Sequence, residues 1–256
     1  MYQLYEETAD MSIIAERTNA RPVTLVTNAT IVRGFHFDPA NMTEEDRDFV
    51  FRSVYPVGLE AFVQNPSTGM EKDIADHLFG TNNLLVLRSD GYIRFGGMEV
   101  GRPRPIGFCV WRSYETEVGN ALYISGVAVN PSWQGKGFGR AMQQYALLVE
   151  DHKKKVDWAF MSTQNAVEKR SFDRAMGKES FPNTNGESAE HKEAGHVFAK
   201  VRGLGHYNPD TMELPNHYGG APLYGIMPKC CDAVYEQLFA RIDRHHGSGY
   251  LCVTKM

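Results

Sequence analysis

The sequence predicts an α/β (α+β) protein built on a mixed central sheet flanked by helices, and three observations carry that expectation. Strand-like segments at 83–88, 106–111 and 122–129 follow one another, the last ending at Asn130-Pro131. A glycine-rich stretch, Gln134-Gly135-Lys136-Gly137-Phe138-Gly139, then runs into an amphipathic helix. A further strand at 156–162 and a helix at 165–176 come next. Strands, helix, strand, helix in that order favour a mixed sheet over a helical bundle or a sandwich.

The 256 residues suffice for one large domain with extensions. Hydrophobic residues at 42% and charged residues at 23% match a soluble globular chain rather than a disordered or membrane one. The net charge of -4 supplies no global positive field, so nucleic acid is not an expected partner. Lys153-Lys154-Lys155 reads as a solvated helix end. No apolar run nears the ~20 residues of a bilayer span, so no membrane partner is expected. The acidic start, MYQLYEETADM, lacks the basic and apolar regions of a secretory signal. Cys109, Cys230, Cys231 and Cys252 show no CxxC spacing, and adjacent Cys230 and Cys231 meet disulfide geometry poorly. A reducing, cytoplasmic setting is therefore expected. No metal is expected either, since His245-His246 has no third ligand at useful spacing.

Taken in order, residues 1–28 read as an N-terminal extension, with 23–26 either a short strand or an arm. The main domain is expected over 29–228, starting with a strand at 29–37 that Asp38-Pro39 stops. Thr43 caps a helix whose first turn carries Glu44, Glu45 and Asp46. Phe49, Val50 and Val54 form its inward face, and Pro56 is its expected limit. Met70, Ile74 and Leu78 fall at helical spacing before Gly80. Asp90-Gly91, Gly96-Gly97, Pro103 and Pro105 are loop chemistry, and 115–119 is a turn. Phe138, Ala141, Met142, Tyr145, Leu148 and Val149 mark one face of the helix after the glycines. Residues 177–222 read as a long insertion with one strand at 197–201. A last strand at 223–227 precedes a C-terminal helix and tail, 229–256, packed on the same domain. Pro228 opens that helix, and Cys231 is expected in the core with Val234, Tyr235, Leu238, Phe239 and Ile242. The same apolar face would suit a homodimer.

Chemistry concentrates in residues 122–140, LYISGVAVNPSWQGKGFGR. Glycines at 135, 137 and 139 let the backbone approach a ligand closely and adopt positive φ. Their amides, with the free N–H groups of a helix's first turn, make an anion nest. A P-loop is excluded because Gly137 stands where a Ser or Thr must follow the lysine. A dinucleotide fingerprint is excluded by the GxGxG spacing, and Asp157 starts its strand rather than ending it. What remains is a phosphate or pyrophosphate at a strand–loop–helix junction, beside the plainer reading of a glycine turn without a ligand.

Gln134-x-x-Gly137-x-Gly139 matches the (Arg/Gln)-x-x-Gly-x-(Gly/Ala) signature, and here the chain resembles the GNAT N-acetyltransferases. Val127-Ala128-Val129-Asn130-Pro131 looks like that family's fourth strand, and the resemblance covers residues 83–177. It implies a GNAT fold whose fourth and fifth strands splay apart to hold the pantetheine arm of acetyl-CoA, the co-substrate. Val127, Ala128 and Val129 would pair with that arm. Gln134, Gly135, Lys136, Gly137, Phe138, Gly139 and Arg140 would hold the pyrophosphate. Asn165 would bond the pantetheine, although it reads equally well as a helix N-cap.

The implied reaction is direct attack of a primary amine, on a small molecule or peptide, upon the thioester. It needs a base, an oxyanion donor and an acid for the thiolate. The family's usual acid, a tyrosine seven residues after the asparagine, falls on Phe172, which would adjoin the cofactor without donating a proton. The glutamate common early in the fourth strand corresponds to Tyr123. Tyr123 and Ser125 are thus candidates at the reacting centre, while Tyr123 also reads as an ordinary strand aromatic. Glu115 and Glu117, just before that strand, and His206 and His217 are candidate bases. Two other readings stay open: a non-catalytic acyl-CoA sensor or interaction module, and a transferase for a longer acyl-CoA.

Overall fold

A computed structural model of the chain describes residues 11–27, 30–62, 70–89, 94–95, 98–99, 103–186, 188–219 and 221–256. Residues 1–10, Ala29, and the loop read at Asp90-Gly91 and Gly96-Gly97 lie outside them. Alternation along β3 (Asn83–Arg88) shows how the layers arise. Leu84 and Val86 point to one face of the sheet and Leu85 and Leu87 to the other, and all four are buried. A strand apolar on both faces needs cover on both.

The first face is covered by α1 (Met11–Arg17), α2 (Glu44–Phe62) and α3 (Met70–Phe79), through Ile14, Val50, Val54, Ile74 and Leu78. Helix α2 starts at a reciprocal cap: the Asp46 amide donates to Thr43 Oγ1 at 3.2 Å, and Thr43 N donates back to the Asp46 carboxylate at 3.0 Å. Burial would push the Asp46 carboxyl up, but hydrogen bonds from Thr43 and Arg17 hold it below its ordinary range. The helix does not end at Pro56 as expected; it runs on to Phe62. Val54, Val57 and Gly58 are buried around the proline, so packing outweighs the one backbone bond it removes. A Cβ on Gly58 would sit 2.7 Å from Ile74 Cδ1, so a larger residue there would make the end of that side chain shift.

The second face is covered by α4 (Phe138–Lys153), α5 (Ala166–Met176) and α7 (Ala233–Phe239), through Phe138, Met142, Ala146, Phe172 and Phe239. Each fully buried side chain of this size contributes roughly 1.5–3 kcal/mol.

The main sheet has eight strands in the order β1-β2-β3-β6-β7-β8-β10-β9. The strands not yet placed are β1 (Arg21–Thr27), β2 (Thr30–Phe37), β6 (Pro105–Thr116), β7 (Gly119–Val129), β8 (Trp158–Thr163), β9 (Glu213–Leu214) and β10 (Gly249–Lys255). The short strands β4 (Arg94–Phe95) and β5 (Met98–Glu99) pair only with each other. Strand β1 pairs along its length with β2, so the segment expected as an N-terminal extension contributes a strand to the sheet. Neighbours in the sheet run antiparallel except β7 and β8, which run parallel and are joined through α4. Among the described residues no helix is long and apolar enough to cross a membrane.

Three expectations in the last eighty residues need correction. Residues 197–201 belong to helix α6 (Ala189–Arg202), capped by Ser188 and closed by Gly203 in the left-handed region. Ala194 and Phe198 are its buried stripe, which the β-branched residues Val197 and Val201 obscured. Residues 223–227 form no strand; the last strand is β10, nearly all buried between β8 and β9. Helix α7 begins at Ala233 rather than Pro228, because Asp232 is its cap, and Cys231 is exposed rather than in the core.

Behind α5 lies a buried polar knot. Lys169 Nζ donates to the Asp173 carboxylate at 3.0 Å, to Ser180 Oγ at 2.8 Å and to the Ser180 carbonyl at 2.9 Å. The Tyr235 hydroxyl donates to Asp173 at 2.9 Å, tying α7 to α5. Every ammonium proton has a partner, which is what makes a buried ion pair tolerable. Asp173→Ala strands the ammonium in the core and should lower stability by ~3–5 kcal/mol in urea unfolding. A Lys169→Met/Asp173→Leu double variant, which removes both charges, should recover most of that loss.

Candidate functional site

Strands β7 and β8 share their ladder only from Ala121↔Trp158 to Ile124↔Met161. Past that point they part, and among the described residues β7 has no partner on its β8 side from Ser125 to Val129. The parting starts at a bulge: Trp111 faces Ile124 while Val110 faces Gly126, leaving Ser125 as the extra residue. Its hydroxyl donates to the Val110 carbonyl at 3.2 Å. Unpaired backbone N–H and C=O groups inside a cleft require water or a ligand. This is the splay expected of the fourth and fifth strands.

The glycine loop sits directly beyond. Gly135 and Gly137 have φ of +73° and +87°, and Gly137 is the N-cap of α4 with no side-chain cap. Gln134 Nε2 donates to the Val129 carbonyl at 2.9 Å, fixing the loop to the end of β7. Among the described residues, backbone donation stops at Gln134 N and resumes at Ala141 N. The amides of 135–140 are therefore unengaged and converge at a helix N-terminus, where the dipole favours an anion. The Thr27 hydroxyl, from β1, is buried without a partner, and its Cβ would lie 3.6 Å from a Cβ on Gly137.

A groove of about 800 Å³ joins these parts. It is lined by Val127, Ala128 and Val129, by Gln134, Gly135, Gly137, Phe138, Gly139 and Arg140, and by Asn165. Ten of the twelve expected cofactor contacts are thus brought together. Arg170, Arg174 and Lys229 add positive charge on the α5 side. The two that do not line it are Lys136, whose ammonium lies 4.5 Å from the Trp133 ring centroid, and Phe172. Phe172 is fully buried among the core side chains of α4 and α5, because the helix turns that position inward. Asn165 is at once lining residue and N-cap, its Oδ1 accepting from Val167 N at 2.8 Å.

The groove opens at its inner end into a smaller cleft of about 80 Å³, lined by Ser125, Gly126, Asp73, Ile74, His77, Met161 and Tyr218 among others. Phe62, Val127, Glu168 and Tyr224 line both cavities and so mark the junction. Glu168 accepts from Gln143 Nε2 at 2.5 Å. Burial pushes its carboxyl up to about 7, against the pull of that hydrogen bond. Burial likewise raises Tyr224 above the ordinary phenol range, and the nearby Glu168 adds to it.

Of the expected catalytic side chains only Ser125 reaches the cleft. Tyr123 is buried where β7 and β8 are still paired, its hydroxyl donating to Ser162 Oγ at 3.2 Å. Glu117 is exposed in the turn between β6 and β7, at the opposite end of the hairpin from the glycine loop. Glu115 is exposed there too, paired with Lys154 at 2.7 Å. His206 and His217 bond each other at 3.0 Å, and burial drives His217 down to about 4 with His206 adding to the effect. Sequence reasoning missed Glu168 and Tyr224. A glutamate in the first turn of a capped helix reads as part of the cap, and Tyr224 lies in an aperiodic stretch.

Residues 61–177 match the family model described as the acetyltransferase (GNAT) family. No curated protein matches the sequence. Among solved structures, similarity is found to a yellow fever mosquito (Aedes aegypti) protein with a provisional arylalkylamine N-acetyltransferase 7 name, at 10% identity and TM-score 0.45, over 92% of this chain and 93% of that one. The Escherichia coli ribosomal-protein-S18-alanine N-acetyltransferase is similar at 12% identity and TM-score 0.40, over 87% and 93%. A GNAT family acetyltransferase from Elizabethkingia anophelis, solved with acetyl-CoA bound, is similar at 11% identity and TM-score 0.35, over 93% and 99%.

The φ of +87° at Gly137 and the open amides around it make that residue the most sensitive test of the anion nest. Gly137→Glu should weaken coenzyme A binding by roughly 100-fold or more in calorimetry, through a carboxylate in the nest and lost amide contacts. Wild-type affinity in a folded variant would remove the pyrophosphate assignment.

Proposed function

We propose, from the match of residues 61–177 to the GNAT acetyltransferase family model, that the protein moves an acetyl group from acetyl-CoA to a primary amine. The observation that carries this reading is the single groove running from the left-handed glycine cradle along the unpaired side of β7. The pyrophosphate rests on the amides of 135–140, and Arg140, Arg170 and Arg174 supply countercharge. The pantetheine arm completes the ladder that β7 lacks, as an added strand with its own amides. That register brings the thioester to the junction at Val127, beside the bulge, where a β7 amide polarises its carbonyl.

The acceptor enters from the smaller cleft. Asp73 and Glu168 draw a cationic amine, and the rings of Phe62, Tyr218 and Tyr224 line its path. A cleft of about 80 Å³ favours a short acyl group and an amine nitrogen over a long acyl chain. Small molecules and peptide amines both satisfy this description.

Thiol release from acetyl-CoA, followed against a panel of primary amines, polyamines and short peptides, tests the proposal. The expected outcome is turnover with a product one acetyl group heavier, and none with the tertiary analogue of the accepted amine. Tight acetyl-CoA binding with no thiol release across the panel would replace the transferase with an acyl-CoA sensor.

A further inference from the structure

We propose that Glu168 is the proton carrier of the reaction, accepting a proton from the incoming ammonium and returning one to the departing coenzyme A thiolate. The inference rests on the acetyl transfer proposed above and names the group that serves it. Glu168 lies on α5 one turn before Phe172 and, unlike it, lines the groove. It is one of the residues at the junction of groove and cleft, so its carboxyl adjoins both the thioester position and the acceptor's entry.

Its surroundings are built to hold it there. The cap of α5 is already supplied by Asn165, so Glu168 is not needed for that duty. Gln143, fully buried on α4, donates Nε2 to the carboxylate at 2.5 Å, while its Oε1 accepts from Ser171 Oγ at 3.4 Å. The amide is thereby oriented with its donor toward Glu168. Among the described residues no Lys or Arg forms an ion pair with it, and a half-buried carboxylate without a cation carries a cost that marks a candidate functional group. The other titratable groups facing it are Asp73 and His77 of α3, Cys109 of β6, and Tyr218 and Tyr224 from the segment crossing the cleft. Burial, the main influence, leaves its carboxyl titrating at about 7, where it can take and give protons alike.

The proton and electron balance closes with this one group. The Glu168 carboxylate takes one N–H proton from the ammonium, and the freed lone pair forms the C–N bond while the carbonyl π pair moves to oxygen. The carbonyl re-forms, the C–S bond breaks, and its electron pair leaves with sulfur. The Glu168 carboxylic acid protonates that thiolate. The surplus proton on nitrogen then passes to the regenerated carboxylate and on to water. One amide, one thiol and one released proton result.

Ser125 is committed to Val110 and Tyr123 to Ser162, while His77, its Nδ1 bonded to the Asp73 carbonyl at 2.8 Å, keeps Nε2 as the rival base that a retained acidic limb in Glu168→Gln would expose. Glu168→Gln, Tyr224→Phe and wild type are compared from pH ~5.5 to ~9 with the amine found active in the panel. Glu168→Gln should lower kcat by roughly 100-fold or more while the acetyl-CoA Kd changes less than about threefold. The wild-type kcat/KM should fall about tenfold per pH unit below pH ~7, and Glu168→Gln should lack that limb. A group whose pKa is raised on folding loses its contribution to stability as pH rises through that value, so the variant should be at least as heat-stable as wild type at pH ~8. A near-normal kcat, a retained acidic limb, or transfer of the whole effect to Tyr224→Phe would overturn the assignment while leaving acetyl transfer intact. A wild type that binds acetyl-CoA and turns over no amine would sink both.

Discussion

The parting of β7 and β8 is the constraint on which the rest of this structure depends. A sheet gains from continuing its ladders, and this one abandons a ladder at Ile124 and Met161 although both strands go on. The parallel direction requires a crossover between them, and that crossover, α4, must start where β7 ends. The bulge at Ser125 turns the strand, Asn130-Pro131 ends it, and two left-handed glycines bring the chain into the helix without a side chain in the way. The outcome is a cleft walled on one side by backbone and closed at one end by the open amides of a helix. Such a cavity is poor at holding a hydrocarbon and suited to a chain that carries amides at one end and phosphates at the other.

Holding a split sheet together places demands on the elements around it. Helix α5 bears most of them, because adjacent residues of its first turn meet different surroundings. Glu168 looks into the groove, whereas Lys169 reaches back into the core to Asp173 and Ser180. The knot behind the helix anchors it to α7 through Tyr235 and to the 177–182 turn through Ser180. A carboxyl kept unpaired on one side is thereby held in place by a carboxyl fully paired on the other. Ion pairs of the second kind add little net stability, and their value here is positional.

Legibility in the sequence followed the range of the interactions involved. The glycine loop is local: anion nest, positive φ and helix start all lie within six residues, so Gln134 to Gly139 could be read directly. Strands β3, β6, β7 and β8 were legible because apolar runs bounded by breakers need no partner to be recognised. The C-terminal third was not. Strand β10 is a plain run, Tyr-Leu-Cys-Val-Thr, but only its placement between β8 and β9 distinguishes it from a tail. In α6 the β-branched Val197 and Val201 spoke for a strand while burial of Ala194 and Phe198 selected the helix. Position seven after Asn165 is Phe172, which has no proton to donate and lies in the core. Glu168, one turn earlier, did not stand out, because its environment is made by Gln143 and Tyr224, distant along the chain.

The 177–225 segment supplies part of that environment through Tyr224. It passes beneath the β7–β8–β10 end of the sheet as α6, whose Phe198 stacks on Phe160 at 4.2 Å between centroids, and then returns across the cleft. There it is held at two points, by Leu223 N donating to Gln164 Oε1 at 2.6 Å and Gly225 N donating to the Phe62 carbonyl at 3.1 Å. One anchor lies at the end of β8 and the other at the end of α2, so the segment bridges those two elements. Tyr224, between the anchors, is thus placed over the junction of groove and cleft by backbone bonds and not by its own packing alone. Tyr224 lines the same junction as Glu168 and so adds to its cover. The proposed proton carrier is therefore covered by a segment that carries no recognisable motif, while the motif residues lie at the other end of the groove.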